Sequence, residues 1–239
     1  MMKVYNIQIE TISPLAGGIP VVPDFLRGKI ARDLKQSGSW TEVVVQLGNG
    51  DPDKAIKFLL DTNWKEVEKA LELYPKEIHE QLTVFRRDEN GNLIVRDYNI
   101  RAFIKETAIN VLGYRRAEVK EKIKHGIAIE PTKIVIMKKE GDSLIPVDIR
   151  DVKLQEISGH VITNKGPRSI IKYFEVLLPP VYLEFNVLVA EDYKGRPILT
   201  EKELRKIFEE GGRVNGLLSN RSMGYGKFRV VKFEEVKND

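Results

Sequence analysis

The chain opens on alternation. Tyr5, Ile7, Ile9 and Thr11 fall on one side of an extended segment, and Val4, Asn6, Gln8 and Glu10 on the other. This period of two predicts a half-buried strand. Ser13-Pro14 and Gly17-Gly18 end it, because proline and paired glycines favour turns. Residues 24–36 read as a basic helix, with Arg27, Lys29, Arg32 and Lys35 among Phe25, Ile30 and Leu34. Asp51-Pro52-Asp53 opens another helix, Asp51 suiting the cap and Pro52 the first turn. Trp64, Val67, Ala70 and Leu71 predict a third, over about 63–74. The stretch 24–75 is thus a helical insertion after the first strand.

From Gln81 the period returns to two. Leu82, Val84 and Leu93, Val95 flank Asn90-Gly91, a dipeptide whose backbone preference marks a hairpin turn. Asp97-Tyr98-Asn99 leads into a helix striped by Ile100, Phe103, Ile104, Ala108 and Val111 and ended by Gly113. A short helix over 115–124 follows, and His125 begins a strand. Strand material runs from Gly126 to Met137 and from Ile145 to Ile157, around a Gly141-Asp142 turn. The polar segment 159–168 reads as a loop. Apolar strands at 170–177 and 181–190 flank Pro179-Pro180. Thr200 and Glu203 have capping-box spacing for a helix over 201–210. Gly211-Gly212 then begins a glycine-punctuated stretch, and Phe228–Val236 alternates as a last strand. Strands arrive as hairpins and meanders as well as across helices. That pattern predicts an α+β fold with a largely antiparallel sheet, in a single domain over 1–239.

Composition narrows the chemistry. The 239 residues contain no cysteine and three scattered histidines, His79, His125 and His160. Disulfide frameworks, thiolate metal sites and a cysteine nucleophile are excluded, and no metal-ligand spacing is present. No phosphate-binding glycine fingerprint joins a strand to a helix. No cofactor is expected. No apolar run approaches the ~18 residues of a membrane span, and the N-terminus lacks a signal-peptide core. The expectation is a soluble, cytoplasmic protein without a membrane partner. Usage rich in Lys, Glu and Ile matches a thermophile's. The net charge of +4 is compatible with nucleic acid without requiring it.

Within Gly216–Lys227, glycines allow close backbone approach, Arg221 and Lys227 add charge, and Ser219, Asn220 and Ser222 add donors. Tyr225 adds a stacking face, a combination suited to a single-stranded backbone with an unstacked base. The same glycines equally suit a tight turn before a strand. Gly216, Gly224 and Gly226 stand in the register of two glycine triplets separated by five residues, with Leu218 where the first triplet would end in glycine. Asn99-Ile100-Arg101-Ala102-Phe103-Ile104-Lys105 forms a basic helix start after the hairpin over 81–98. Glu175 to Pro179 precedes the alternating Tyr182-Leu183-Glu184-Phe185. In this order the three segments resemble the RAMP superfamily, the repeat-associated RNA-binding proteins of CRISPR systems. The run from Thr83 to Lys105 also resembles a group of phage-borne proteins.

That resemblance implies a ferredoxin-like (RRM-like) βαββαβ core that holds RNA, with a glycine-rich loop at 211–227. It implies antiviral defence or a mobile element as the setting. It also implies other subunits of a ribonucleoprotein complex, or self-association, as further partners. The RNA would lie across the helix start (Asn99, Arg101, Lys105) and the loop (Gly216, Asn220, Arg221, Ser222, Gly224, Tyr225, Gly226, Lys227). Asp97 and Glu106 could instead pair with Arg101 and Lys105. Arg86, Arg87 and Arg96 on facing hairpin strands form a second RNA-binding patch, since like charges across strands call for an anion between them. Asp88, Glu89 and Asp97 would serve equally. Lys165 and Arg168 near His160 form a third patch, on the expected loop. His160 is the candidate acid or base if the chain is a metal-independent endoribonuclease that processes guide RNA. A phage assembly or interaction protein, or a single-stranded DNA binder, would also be compatible with these residues.

Overall fold

A computed structural model describes residues 2–21, 51–163, 166–192 and 194–236. The predicted helix over 24–36, with its four basic residues, lies outside them, as does Lys165. The chain first forms β1 (Met2–Thr11), β2 (Leu15–Ala16), β3 (Ile19–Pro20) and α1 (Pro52–Leu71). A 3-10 helix (Lys76–Gln81), β4 (Leu82–Val84), β5 (Arg86–Arg87), β6 (Leu93–Arg96), α2 (Asp97–Asn110) and α3 (Arg116–Gly126) follow. Next come β7 (Ile127–Glu130), β8 (Lys133–Val135), β9 (Met137–Glu140), β10 (Ser143–Pro146), β11 (Lys153–Thr163) and β12 (Gly166–Leu177). The chain closes with β13 (Tyr182–Ala190), α4 (Glu201–Val214) and β14 (Phe228–Val236).

The expected α+β fold with mostly antiparallel pairing is present. β1 is central to the main sheet, between β13 and β14 and antiparallel to both. β7 pairs along the far side of β13, where β9 also meets it and carries β10. The alternation read in the sequence decides which face is inside. Tyr5, Ile7 and Ile9 are fully buried, in one core with Phe103 and Ile104 of α2 and Ile207 and Phe208 of α4. On the other face Asn6 donates to Asn186 at 2.9 Å and Gln8 to Glu184 at 3.2 Å. A second sheet, ordered β11-β12-β4-β3, holds the one parallel pair among the described strands, β12 with β4. β5, β6 and β8 form a third.

Several elements differ from expectation. The two helices expected from Asp51 to residue 74 are one, α1. The Asn90-Gly91 turn is present, with Gly91 at φ +86° and the Asp88 carboxylate accepting from the backbone of Asn90 and Asn92. It joins β5 to β6, however, while β4 leaves for the second sheet. The expected loop over 159–168 is mostly strand: β11 and β12 pair through Thr163↔Gly166. Polar, β-branched residues can occupy a solvated hairpin because the backbone ladder needs no apolar face. His125 does not begin a strand but lies in the last turn of α3. α4 has the predicted capping box at Thr200 and Glu203, yet runs through Gly211-Gly212 to Val214. A Cβ at Gly211 would sit 2.2 Å from Thr107 Cγ2. Close seating of α4 on α2 thus outweighs the ~1 kcal/mol that glycine costs a helix.

Candidate nucleic-acid interface

The loop between α4 and β14 is closed at its neck by backbone pairing. Leu217 N–H donates to the Gly226 carbonyl at 2.8 Å, and Gly226 N–H to the Pro14 carbonyl at 2.8 Å. Gly216 and Gly226 both have positive φ. A Cβ on Gly226 would fall 2.0 Å from the Leu217 carbonyl oxygen, and one on Gly216 2.7 Å from that of Tyr225. These two glycines therefore serve close approach of the chain to itself. Above the neck, Leu218 and Asn220 also adopt left-handed backbone, at φ 61° and 57°. Arg221–Met223 forms a 3-10 turn that ends at Gly224. Nothing lies within 4 Å of where a Gly224 Cβ would be, and Ser222 and Met223 are exposed. The loop is thus a pinched neck with an open, polar tip.

Three side-chain contacts fix its orientation. Arg221 Nη1 meets Glu106 of α2 at 2.5 Å, so the loop lies against the helix that carries Asn99, Arg101 and Lys105. Tyr225 donates to Gln155 of β11 at 2.8 Å, and its ring packs beside Phe174 and Val176. Lys227 N–H donates to Ser13 Oγ at 2.8 Å. At the start of α2, Arg96 N–H donates to Asn99 Oδ1 at 3.2 Å, and Arg101 pairs with Asp97 at 2.9 Å. Lys105 is half-buried on the same helix. The loop thus meets α2 at Glu106, seven residues beyond Asn99 at the helix start.

The hairpin arginines are placed differently from the expected surface patch. Arg86 and Arg87 are each 3% exposed. Arg86 meets Glu66 of α1 at 2.7 Å, and Arg96 reaches the same carboxylate at 3.5 Å. Arg87 meets Glu175 of β12 at 2.5 Å. Glu175 is fully buried and also accepts from Tyr74 and from the backbone of Phe85. Burial, with this carboxylate beside it, pushes the Tyr74 hydroxyl well above the usual phenol range. Among the described residues the carboxylates that meet Arg86 and Arg87 are thus Glu66 and Glu175, where the sequence offered Asp88, Glu89 and Asp97. One signal of this was visible: Glu175 sits in an apolar strand, and a buried carboxylate requires a cation or several donors. Arg168 and His160 lie on β12 and β11, His160 opposite Ser169 and Arg168 opposite Val161. Among the described residues no three of His, Cys, Asp and Glu gather to hold a metal ion, and no helix is long and apolar enough to cross a membrane.

No protein-family model matches the sequence, and no curated protein matches it. Among solved structures, the chain matches one in the cryo-EM structure of the Type III-B Cmr-beta bound to cognate target RNA. The TM-score is 0.52 at 13% sequence identity. The two share a fold. The match covers 99% of this chain and 61% of the other, so this chain spans about three fifths of that relative's length. A second match is to the crystal structure of oligomeric Cmr4 from Pyrococcus furiosus, with a TM-score of 0.42 and 10% identity, over 99% of this chain and 100% of that one.

Proposed function

We propose that this chain is a RAMP-type RNA-binding protein that holds single-stranded, guide-like RNA across the start of α2 and the Gly216–Lys227 loop. The observation that carries the reading is the Arg221–Glu106 contact, which holds the loop against α2. Arg221, Lys105 and Lys227 supply charge to phosphates there, and Asn99, Asn220 and Ser222 supply polar groups. Tyr225 and the open backbone at Gly224 line the same path, and Gly216 and Gly226 close the neck that holds them there. Arg86, Arg87 and Arg96 support it from beneath, through Glu66 and Glu175. The sheet order β14-β1-β13-β7, with α2 and α3 before β7 and α4 before β14, supports a ferredoxin-like βαββαβ core. On this reading residues 1–239 are one domain, the stretch 24–75 is an insertion in it, and the chain works beside other subunits of a ribonucleoprotein complex. The fold it shares with a chain from an RNA-bound Cmr assembly supports the same reading.

The test is binding of a fluorescent single-stranded RNA over a salt series, with the same samples run on a gel. Tight binding with a steep negative salt slope is expected. Arg221→Ala with Lys227→Ala should weaken it about tenfold and reduce the slope by about 1.4, two phosphate contacts at ~0.7 each. Absence of binding at low salt would refute the proposal. Cleaved RNA, with cleavage lost in His160→Ala, would replace it by the endoribonuclease reading. Equal affinity for DNA of the same sequence would remove any role for the 2′-OH.

A further inference from the structure

The net charge of the chain is unevenly placed. Residues 115–125 hold Arg115, Arg116, Lys120, Lys122 and Lys124 against Glu118 and Glu121, a net +3 where the whole chain carries +4. Among the buried residues of α3 are Val119 and Ile123, one turn apart on a narrow apolar stripe. Arg115, Arg116, Lys122 and His125 are exposed. Most described arginines meet a carboxylate, as Arg96, Arg101, Arg205, Arg221 and Arg229 do. Among the described residues, Arg115 and Arg116 meet none. The nearby Glu118 carboxylate instead accepts from the backbone N–H of Arg115 at 2.9 Å. Lys122 sits over the Tyr114 ring at 4.9 Å, with the charge of Glu203 beyond that ring.

We propose that Arg115, just before α3, and the exposed Arg116, Lys122 and His125 around α3 form a second phosphate-binding surface for single-stranded RNA, separate from the loop. The identity of its ligand rests on the RNA-binding reading above; its existence as a polyanion site does not. Its position makes it separate. α3 leads directly into Ile127, which pairs with Val189 in the row of Lys3. The loop is bonded to Ile12 and Pro14, beyond the other end of β1. Nine residues of strand at ~3.3 Å each put about 30 Å between the two ends. The occupant follows from what the surface lacks. Protein partners are anchored by apolar and aromatic side chains, and α3 itself carries no exposed large apolar residue. Flexible cations around a helix with no apolar anchor suit a polyelectrolyte backbone bound through counterion release.

The experiment compares the full chain with Arg115→Ala/Arg116→Ala/Lys122→Ala and with Arg221→Ala/Lys227→Ala. The probe is a fluorescent single-stranded RNA long enough to reach both surfaces, and circular dichroism confirms that each variant is folded. The triple variant should lose about tenfold in affinity, with a salt slope smaller by about 2, three contacts at ~0.7 each. Wild-type affinity and slope in the triple variant, beside a weakened loop variant, would overturn this inference and leave the loop reading standing. The reverse pattern would uphold α3 and refute the loop. If the folded protein binds no RNA, the loop reading and the assignment of RNA to α3 both fail. In that case, retention of poly-glutamate by the wild type and not by the triple variant would assign the surface to an acidic protein partner.

Discussion

Gly224 and Gly226 both hold positive φ, 88° and 72°, yet their surroundings differ. A methyl group on Gly224 points into open space; on Gly226 it would overlap the Leu217 carbonyl. Gly224→Ala should cost about 1 kcal/mol, the strain of a left-handed L-residue. Gly226→Ala adds a clash with backbone that cannot rotate away, and should cost about 3 kcal/mol or more. Urea unfolding of the two variants checks this, and equal losses would contradict the closed neck. Leu218 stands where the glycine register calls for a third glycine. Its backbone keeps the glycine-like conformation, at φ 61°, while its side chain packs against the main core. Apolar burial of roughly 1 kcal/mol or more offsets strain of similar size.

α4 shows which element features travel from sequence to structure. Its cap is a local device: Thr200 N–H donates to Glu203 Oε2 at 2.8 Å, and Glu203 N–H donates back to Thr200 Oγ1 at 3.3 Å. Burial pushes the Glu203 carboxyl up, but hydrogen bonds from Tyr114 and Thr200 outweigh it and hold the group below the usual glutamate range. A carboxyl depressed in the folded state stabilises above its unfolded value and loses that contribution as pH falls through the folded one. Stability should therefore decline below about pH 4.3, and Glu203→Gln should show a smaller slope in that window by thermal unfolding. An unchanged slope would count against the Tyr114–Glu203 bond. The β11–β12 hairpin behaves oppositely. Its outer part, residues 159–168, sets Val161-Ile162 among glycine, proline and polar residues without alternation, so the hydrophobic pattern gives no sign of the backbone ladder.

At the scale of the molecule, Glu175 joins parts of the chain far apart in sequence. It takes Arg87 from the hairpin β5–β6, Tyr74 from the end of the insertion and the Phe85 backbone, and its own carbonyl accepts from Gly17. Glu175→Ala leaves the Arg87 guanidinium buried without a counter-charge and should cost about 3–5 kcal/mol. Glu175→Leu with Arg87→Met should recover a large part of that loss, because the desolvation penalty of both ions disappears. Denaturant midpoints distinguish the two. If the double variant is no more stable than Glu175→Ala, the buried pair is not the source of the loss.

The sequence by itself determined whatever rests on neighbours along the chain. Alternation in β1 and β14, the stripe of α2, the Asn90-Gly91 turn and the Thr200 cap all follow from spacing within a few residues. The glycine register of the loop was legible for the same reason. Tertiary structure alone decided which charges face water. Arg86 and Arg87 look like any surface pair in sequence, and become interior ions because Glu66 and Glu175, twenty and eighty-eight residues away, fold onto them. Arg115 and Arg116 look no different, and stay exposed, with no described carboxylate brought to their guanidinium groups. Local propensity carries no record of such partners, since the free energy of a charge depends on what the rest of the chain places beside it.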